Sequence, residues 1–184
     1  MRRRTRLPRS ARTCRWTDDV SGRSRNLCPV SETACLVVVS GLPGSGKTTH
    51  AKRLQVERPG VRFCPDEWMT ALGANLWNGE LRARVEGLQW AMALDVLRAG
   101  GTAIVEWGTW SRDERECLRA EAAALGARTE LLFLDVPADV LWARIEERGM
   151  EDPPMKHADV VAMHEFIQSQ RPDEAERSAF DKVL

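Results

Sequence analysis

The chain has 184 residues and a mass of 20.7 kDa; 43% of its residues are hydrophobic and 29% charged, with 27 Lys+Arg against 27 Asp+Glu. This size and apolar content exclude disorder throughout and supply the core of one globular domain, while the longest apolar run, near Cys35 to Val39, is far short of the ~18 residues a membrane helix needs, so no membrane partner is expected. The neutral total is a cancellation: residues 1–34 hold nine Arg against Asp18, Asp19 and Glu32, a net +6, and residues 35–184 hold 18 basic against 24 acidic groups, a net −6.

Residues 1–34 are rich in Arg, Ser, Thr and Pro and show no apolar periodicity. They are expected to form a disordered basic leader ahead of a domain at 35–184. A tail of no function competes with an arm for nucleic acid or an acidic surface and with a targeting segment. A secretory signal fails because no apolar stretch follows the arginines, and a transit peptide is weakened because Leu7, Trp16, Val20 and Leu27 do not recur at helical spacing. A true start near Val30, with the leader a mis-assigned upstream stretch, is a further expectation. Five irregularly spaced Cys with no CxxC pair, and only three His, argue against a disulfide framework or a zinc site. Buried free thiols in a reducing cytoplasm are expected instead.

In the domain, Leu36–Ser40 is a β-branched run bounded by Gly41 and suits a buried parallel strand. Gly41-Leu42-Pro43-Gly44-Ser45-Gly46-Lys47-Thr48 then matches GxxxxGK[ST] at every fixed position, between that strand and a helix over Lys47–Glu57 that Arg58-Pro59-Gly60 ends. The glycines let successive backbone amides converge on phosphate oxygens, at the positive end of the helix. Lys47 is expected to reach the β and γ phosphates and Thr48 to ligate Mg²⁺, with Thr49 completing the cradle. ATP and Mg²⁺ are the cofactors this motif implies.

Val61–Cys64 reads as a second strand, and Pro65-Asp66-Glu67 opens the next helix. Asp66 has two readings: a base that takes the proton of an acceptor hydroxyl, or the cap of the helix. A long helix over Glu80–Arg98 carries an apolar stripe, Leu81, Val85, Leu88, Met92 and Val96, expected to face the core. Glu86 and Trp90 fall off it and are expected at an edge or in solvent. Thr102–Glu106 is a third strand, and Glu106 at its end either supports Mg²⁺ or a water, or is a solvent-facing terminus. After the loop Trp107–Ser111 come a helix over Arg112–Leu125, a fourth strand over Glu130–Val136 and a helix from Pro137 through Arg148. The alternation predicts an α/β fold, a parallel sheet of four to five strands with helices on both faces in a three-layer α/β/α P-loop NTPase arrangement.

GLPGSGKTT, PDEW, VEWGTWSRDER and LLFLDVPADVLWARIEERG together resemble the small P-loop kinases and AAA-type ATP-binding proteins related to chloramphenicol phosphotransferase, zeta toxins and polynucleotide 5′-hydroxyl kinase, over roughly residues 35–170. The resemblance implies that Asp66 is a substrate base or anchor, and that Arg144 and Arg148, on the helix after strand four, belong to a lid that closes over the transferring phosphoryl group. A solvated helix face paired with Glu147 or Glu151 is the alternative for these arginines. Arg112 and Arg115 are weaker candidates for phosphate or substrate. The fifth core strand of such proteins would only begin at Phe180–Leu184, so a truncated last strand is expected, and Met150–Pro154 replaces the more basic lid loops of some relatives.

The expected activity is transfer of the γ-phosphoryl of ATP to a hydroxyl of an unidentified small-molecule or nucleotide-like acceptor. The alternative is an ATP-binding, ATPase or regulatory module without an acceptor. A GTPase is disfavoured by the absence of an NKxD element after the fourth strand, and nucleic acid by the −6 body, leaving only the leader as a basic arm. Trp68, Trp77, Trp107 and Trp110 lie near strand ends, where they either stack on an acceptor or pack into the core.

Overall fold

The computed structural model describes residues 34–149 and 154–184. The expectations for the leader and for the 150–153 stretch of the lid lie outside them. The described elements are β1 (Cys35–Gly41), α1 (Lys47–Glu57), β2 (Val61–Phe63), α2 (Pro65–Ala71), α3 (Gly79–Arg98), β3 (Thr102–Val105), α4 (Arg112–Ala124), β4 (Arg128–Leu134), α5 (Ala138–Arg148), α6 (His157–Ser169), α7 (Glu174–Ala179) and β5 (Lys182–Val183). All strand pairs are parallel, in the order β2-β3-β1-β4-β5.

The β-branched run becomes the centre of this sheet because a strand covered on both faces must be apolar at every position. Every residue of β1 is buried. Its side chains alternate between two cores: Leu36 and Val38 pack with Trp90, Leu97 and Leu118 of α3 and α4, whereas Cys35, Val37 and Val39 pack with Ala51 and Leu54 of α1. Helices therefore cover both faces, as the three-layer fold requires. A third cluster joins Leu42 to Leu141 and Ile145 of α5 and to Val160 and Ile167 of α6.

The stripe expected on α3 is a correction. Leu88 and Met92 are 62% and 48% exposed, and the buried face is Val85, Glu86, Gln89, Trp90, Ala93 and Leu97. Polar groups on that face are buried because they find partners. Trp107 Nε1 donates to Gln89 Oε1 at 2.9 Å, Trp90 Nε1 donates to Glu121 Oε2 at 2.7 Å, and Arg82 lies 3.8 Å from Glu86. Trp90 and Trp107 meet edge to face, ring centroids 6.2 Å apart.

The fourth strand starts and ends two residues earlier than expected. Arg128 and Glu130 pair with each other across one face of β4 at 3.1 Å, and Arg58 reaches Glu130 at 2.5 Å, which accommodates charge at the strand's start. Pro137 follows too soon for the strand to continue. The fifth strand consists of two residues, paired with Glu130 and Leu131. Cys35 and Cys64 are free and buried, as expected. No helix among the described residues is long and apolar enough to cross a membrane.

Candidate active site

The loop between β1 and α1 takes its shape from glycine. Gly44 and Gly46 hold φ of +79° and +91°, and a Cβ on Gly44 would come within 3.1 Å of the Leu141 carbonyl oxygen. Gly46 caps α1 without a side-chain hydrogen bond, and the first turn of α1 carries no acidic residue. The free amides and the positive end of the helix dipole thus converge where an anion can dock.

Lys47 opens α1 and bends back to donate from Nζ to the Leu42 carbonyl at 3.0 Å. Burial pushes its pKa down to about 8, against the opposing pull of the Asp66 and Glu106 carboxylates and with a smaller push from Arg148. Lys47, Asp66, Glu106 and Arg148 therefore share one electrostatic neighbourhood although they come from four elements or their ends. Thr48, exposed on the same turn, donates from Oγ1 to Glu106 Oε1 at 2.6 Å.

Glu106 is the residue after β3 and is 4% exposed, so the reading as a solvent-facing terminus is incorrect. Its second oxygen accepts from Arg62 Nη1 at 2.7 Å, and Arg62 also donates to Glu67 at 2.5 Å. Burial works against the Arg62 charge, yet the two carboxylates hold its pKa above the ordinary guanidinium range. Cys64 lies nearby, and burial, with Glu106 adding, pushes its thiol up to about 11, which makes it unreactive.

Asp66 is not the cap of α2. That position belongs to Cys64, with Pro65 and Asp66 inside the first turn. The Asp66 carboxylate, 60% exposed, is ion-paired with Arg82 of α3, whose guanidinium also lies near Glu86 and the Leu76 carbonyl. Arg62 and Arg82 are the site residues that sequence reasoning missed. An arginine in the middle of the short strand Val61–Phe63 is a signal in retrospect, because a charge there needs a buried partner. Nothing in the sequence pairs Arg82 with a residue 16 positions earlier.

Arg144 is exposed on α5 and donates from Nη1 to the Gly44 carbonyl at 3.0 Å, reaching the loop rather than Glu147. Arg148 is exposed in the last turn of the same helix. Arg112 and Arg115 stand apart from the cradle. Arg112 pairs with Asp173 at 2.6 Å. Arg115 is fully buried, 2.6 Å from Glu176, and donates to the Trp110 and Gln170 carbonyls. It ties α4 to α7 instead of facing phosphate. Trp107 is core, and Trp110 donates from Nε1 to the Gly41 carbonyl at 3.1 Å. Trp68 is half-buried and Trp77 is 49% exposed. No cluster of three or more His, Cys, Asp or Glu able to hold a metal exists among the described residues.

No curated protein sequence matches the chain. Solved structures share its fold. A candidate kinase from Chloroflexus aurantiacus J-10-fl superposes with a TM-score of 0.63 at 20% identity, covering 83% of this chain and 86% of that one. A chain of the Pnkp1/Rnl/Hen1 RNA repair complex superposes with a TM-score of 0.61 at 18% identity, covering 80% of this chain. The present chain spans 46% of that protein's length. The chain thus shares the P-loop α/β/α fold of these structures. Residues 36–171 match the family model of an AAA domain, and the chain belongs to that family.

Proposed function

We propose that the protein is a cytoplasmic ATP-dependent phosphotransferase that moves the γ-phosphoryl group of ATP onto a hydroxyl of a small-molecule or nucleotide-like acceptor. The observation that carries this reading is the pair of unlike carboxylates around Lys47. Glu106 is buried and bound to Thr48, whereas Asp66 is exposed to an incoming acceptor and still acts on the Lys47 charge. A cradle that only binds nucleotide has no use for the second.

In this reading the amides of Gly44 to Thr49 and the Lys47 ammonium hold the donor's phosphates. Thr48 and Glu106 offer hard oxygen donors 2.6 Å apart, a set that fits Mg²⁺ completed by phosphate and water. Bound there, Mg²⁺ would supply charge neutralisation across the β and γ phosphates. Asp66 orients the acceptor hydroxyl and takes its proton while the acceptor oxygen bonds to the γ-phosphorus and the bond to the β–γ bridging oxygen breaks, releasing ADP. Arg82 fixes the Asp66 carboxylate. Arg144 and Arg148 stabilise charge on the transferring group from α5.

The test is an ATP-consumption screen over nucleosides, aminoglycosides, other antibiotics and 5′-hydroxyl oligonucleotides, followed by Asp66→Asn. One structural neighbour belongs to an RNA repair complex, which justifies the last class, although the −6 charge of residues 35–184 speaks against an extended nucleic-acid surface. Loss of transfer by about 10²-fold or more in Asp66→Asn, with the Kd for Mg·ATP unchanged, is expected. Hydrolysis without transfer, equal in wild type and Asp66→Asn, refutes the phosphotransferase reading and leaves an ATPase or regulatory module.

A further inference from the structure

Beside the cradle lies a cavity of about 690 Å³, within the range typical of small-molecule sites. It is lined on the cradle side by Ser45 and His50 and on the other by Phe133, Asp135, Val136 and Arg144. Two polar atoms of its lining are buried with no hydrogen-bond partner: Ser45 Oγ, in a residue only 5% exposed, and His50 Nδ1. Folded proteins keep few such orphans without a reason. The His50 ring stands against the last glycine of the cradle, since a Cβ on Gly46 would lie 3.8 Å from its Cδ2.

Asp135, the first residue after β4, brings a carboxylate to the same cavity. Gln168 Nε2 donates to one of its oxygens at 2.6 Å, and Arg171 meets the other at 2.9 Å. An ionised carboxylate has about four acceptor sites, so both oxygens retain capacity for further donors. Phe133 and Val136 add apolar surface. An imidazole nitrogen and a carboxylate bordering an apolar wall, next to a phosphate cradle, match a sugar attached to a phosphate chain with a flat base beyond it.

We infer that His50 and Asp135 bind the ribose hydroxyls of the nucleotide donor, His50 through its imidazole and Asp135 through its carboxylate. The inference rests on the reading that the cradle holds a nucleoside triphosphate. It assigns donor selection to residues that are not part of the GxxxxGK[ST] motif.

Calorimetric titration of the full chain with ATP, 2′,3′-dideoxy-ATP and inorganic tripolyphosphate, each with Mg²⁺, tests this. Wild type is expected to bind ATP about five- to tenfold tighter than the dideoxy analogue, the value of one or two neutral hydrogen bonds. His50→Phe, which keeps a ring in place, is expected to bring that ratio close to one while tripolyphosphate affinity stays unchanged, and Asp135→Asn to lower the ratio in the same direction. Equal affinity of wild type for ATP and its dideoxy analogue overturns the inference whether or not either variant folds. A ratio left intact in both variants overturns it too, as does a parallel loss of tripolyphosphate binding in His50→Phe. If wild type binds none of the three, the nucleotide reading itself falls, and this inference with it.

Discussion

The depressed pKa of Lys47 makes nucleotide affinity depend on pH in a window where an ordinary lysine would not. In the ligand-free protein burial pushes this ammonium down to about 8, whereas phosphate binding requires it charged. Binding therefore takes up a proton wherever the free protein has lost one. From about pH 7.5 to about pH 9.5 the protonated fraction of such a group falls about 25-fold. The Kd for Mg·ATP is expected to rise by the same factor, about 2 kcal/mol; a lysine at its usual pKa near 10.4 would give a change of only about 10%. Titration calorimetry in two buffers of different ionisation enthalpy measures both the Kd and the proton uptake, expected to be about half a proton near pH 8. Lys47→Arg, ionised throughout, should lose the dependence even if it binds more weakly. A Kd that stays flat to pH 9.5 refutes the reasoning. For the ligand-free fold the sign is opposite: the folded pKa lies below the unfolded one, so a penalty of up to about 3 kcal/mol applies below pH 8 and is relieved as pH rises from there towards 10.5. Lys47→Met should therefore stabilise the ligand-free protein at neutral pH, and progressively less above it.

Two expectations concern the fold. Arg115→Met leaves the buried Glu176 carboxylate without its cation and should cost about 3–5 kcal/mol in urea unfolding, whereas adding Glu176→Leu should recover much of the loss; an Arg115→Met variant as stable as wild type would show that the pair does not join α4 to α7. Among the glycines, Gly60→Ala drives a Cβ to 2.8 Å from the Thr102 carbonyl oxygen, while Gly87 on α3 has nothing within 4 Å. Thermal melts should show the first destabilised by about 1–3 kcal/mol and the second stabilised by about 0.5–1 kcal/mol, and equal melting temperatures for the two would contradict these surroundings.

Local chemistry made the cradle and the order of elements legible in the sequence. The glycines, Lys47 and Thr48 act through their own backbone and first helical turn, and the buried strand before them needs only a continuous apolar run. Glu106 stands directly after its strand, which ends at Val105. What depends on contacts between distant segments was not legible. The α3 stripe Leu81, Val85, Leu88, Met92 and Val96 has proper helical spacing, yet the helix turns Glu86, Gln89 and Trp90 inward because Arg82, Trp107 and Glu121 meet them there. A helix's polar residues can be buried when another element supplies their partners, and spacing alone carries no information about those partners.

The charged residues divide in the same way. By itself the sequence determined that a glycine-shaped loop sits between a buried strand and a helix N-terminus, since φ freedom at Gly44 and Gly46 and the dipole of α1 are properties of consecutive residues. Only the tertiary structure decided which distant charges face it: Arg62 and Arg82 hold Glu106 and Asp66, while Arg115, a weaker candidate from sequence, points away to Glu176. Each of these pairings depends on how helices are laid across a sheet, and an ion pair forms wherever that packing brings opposite charges out of water together.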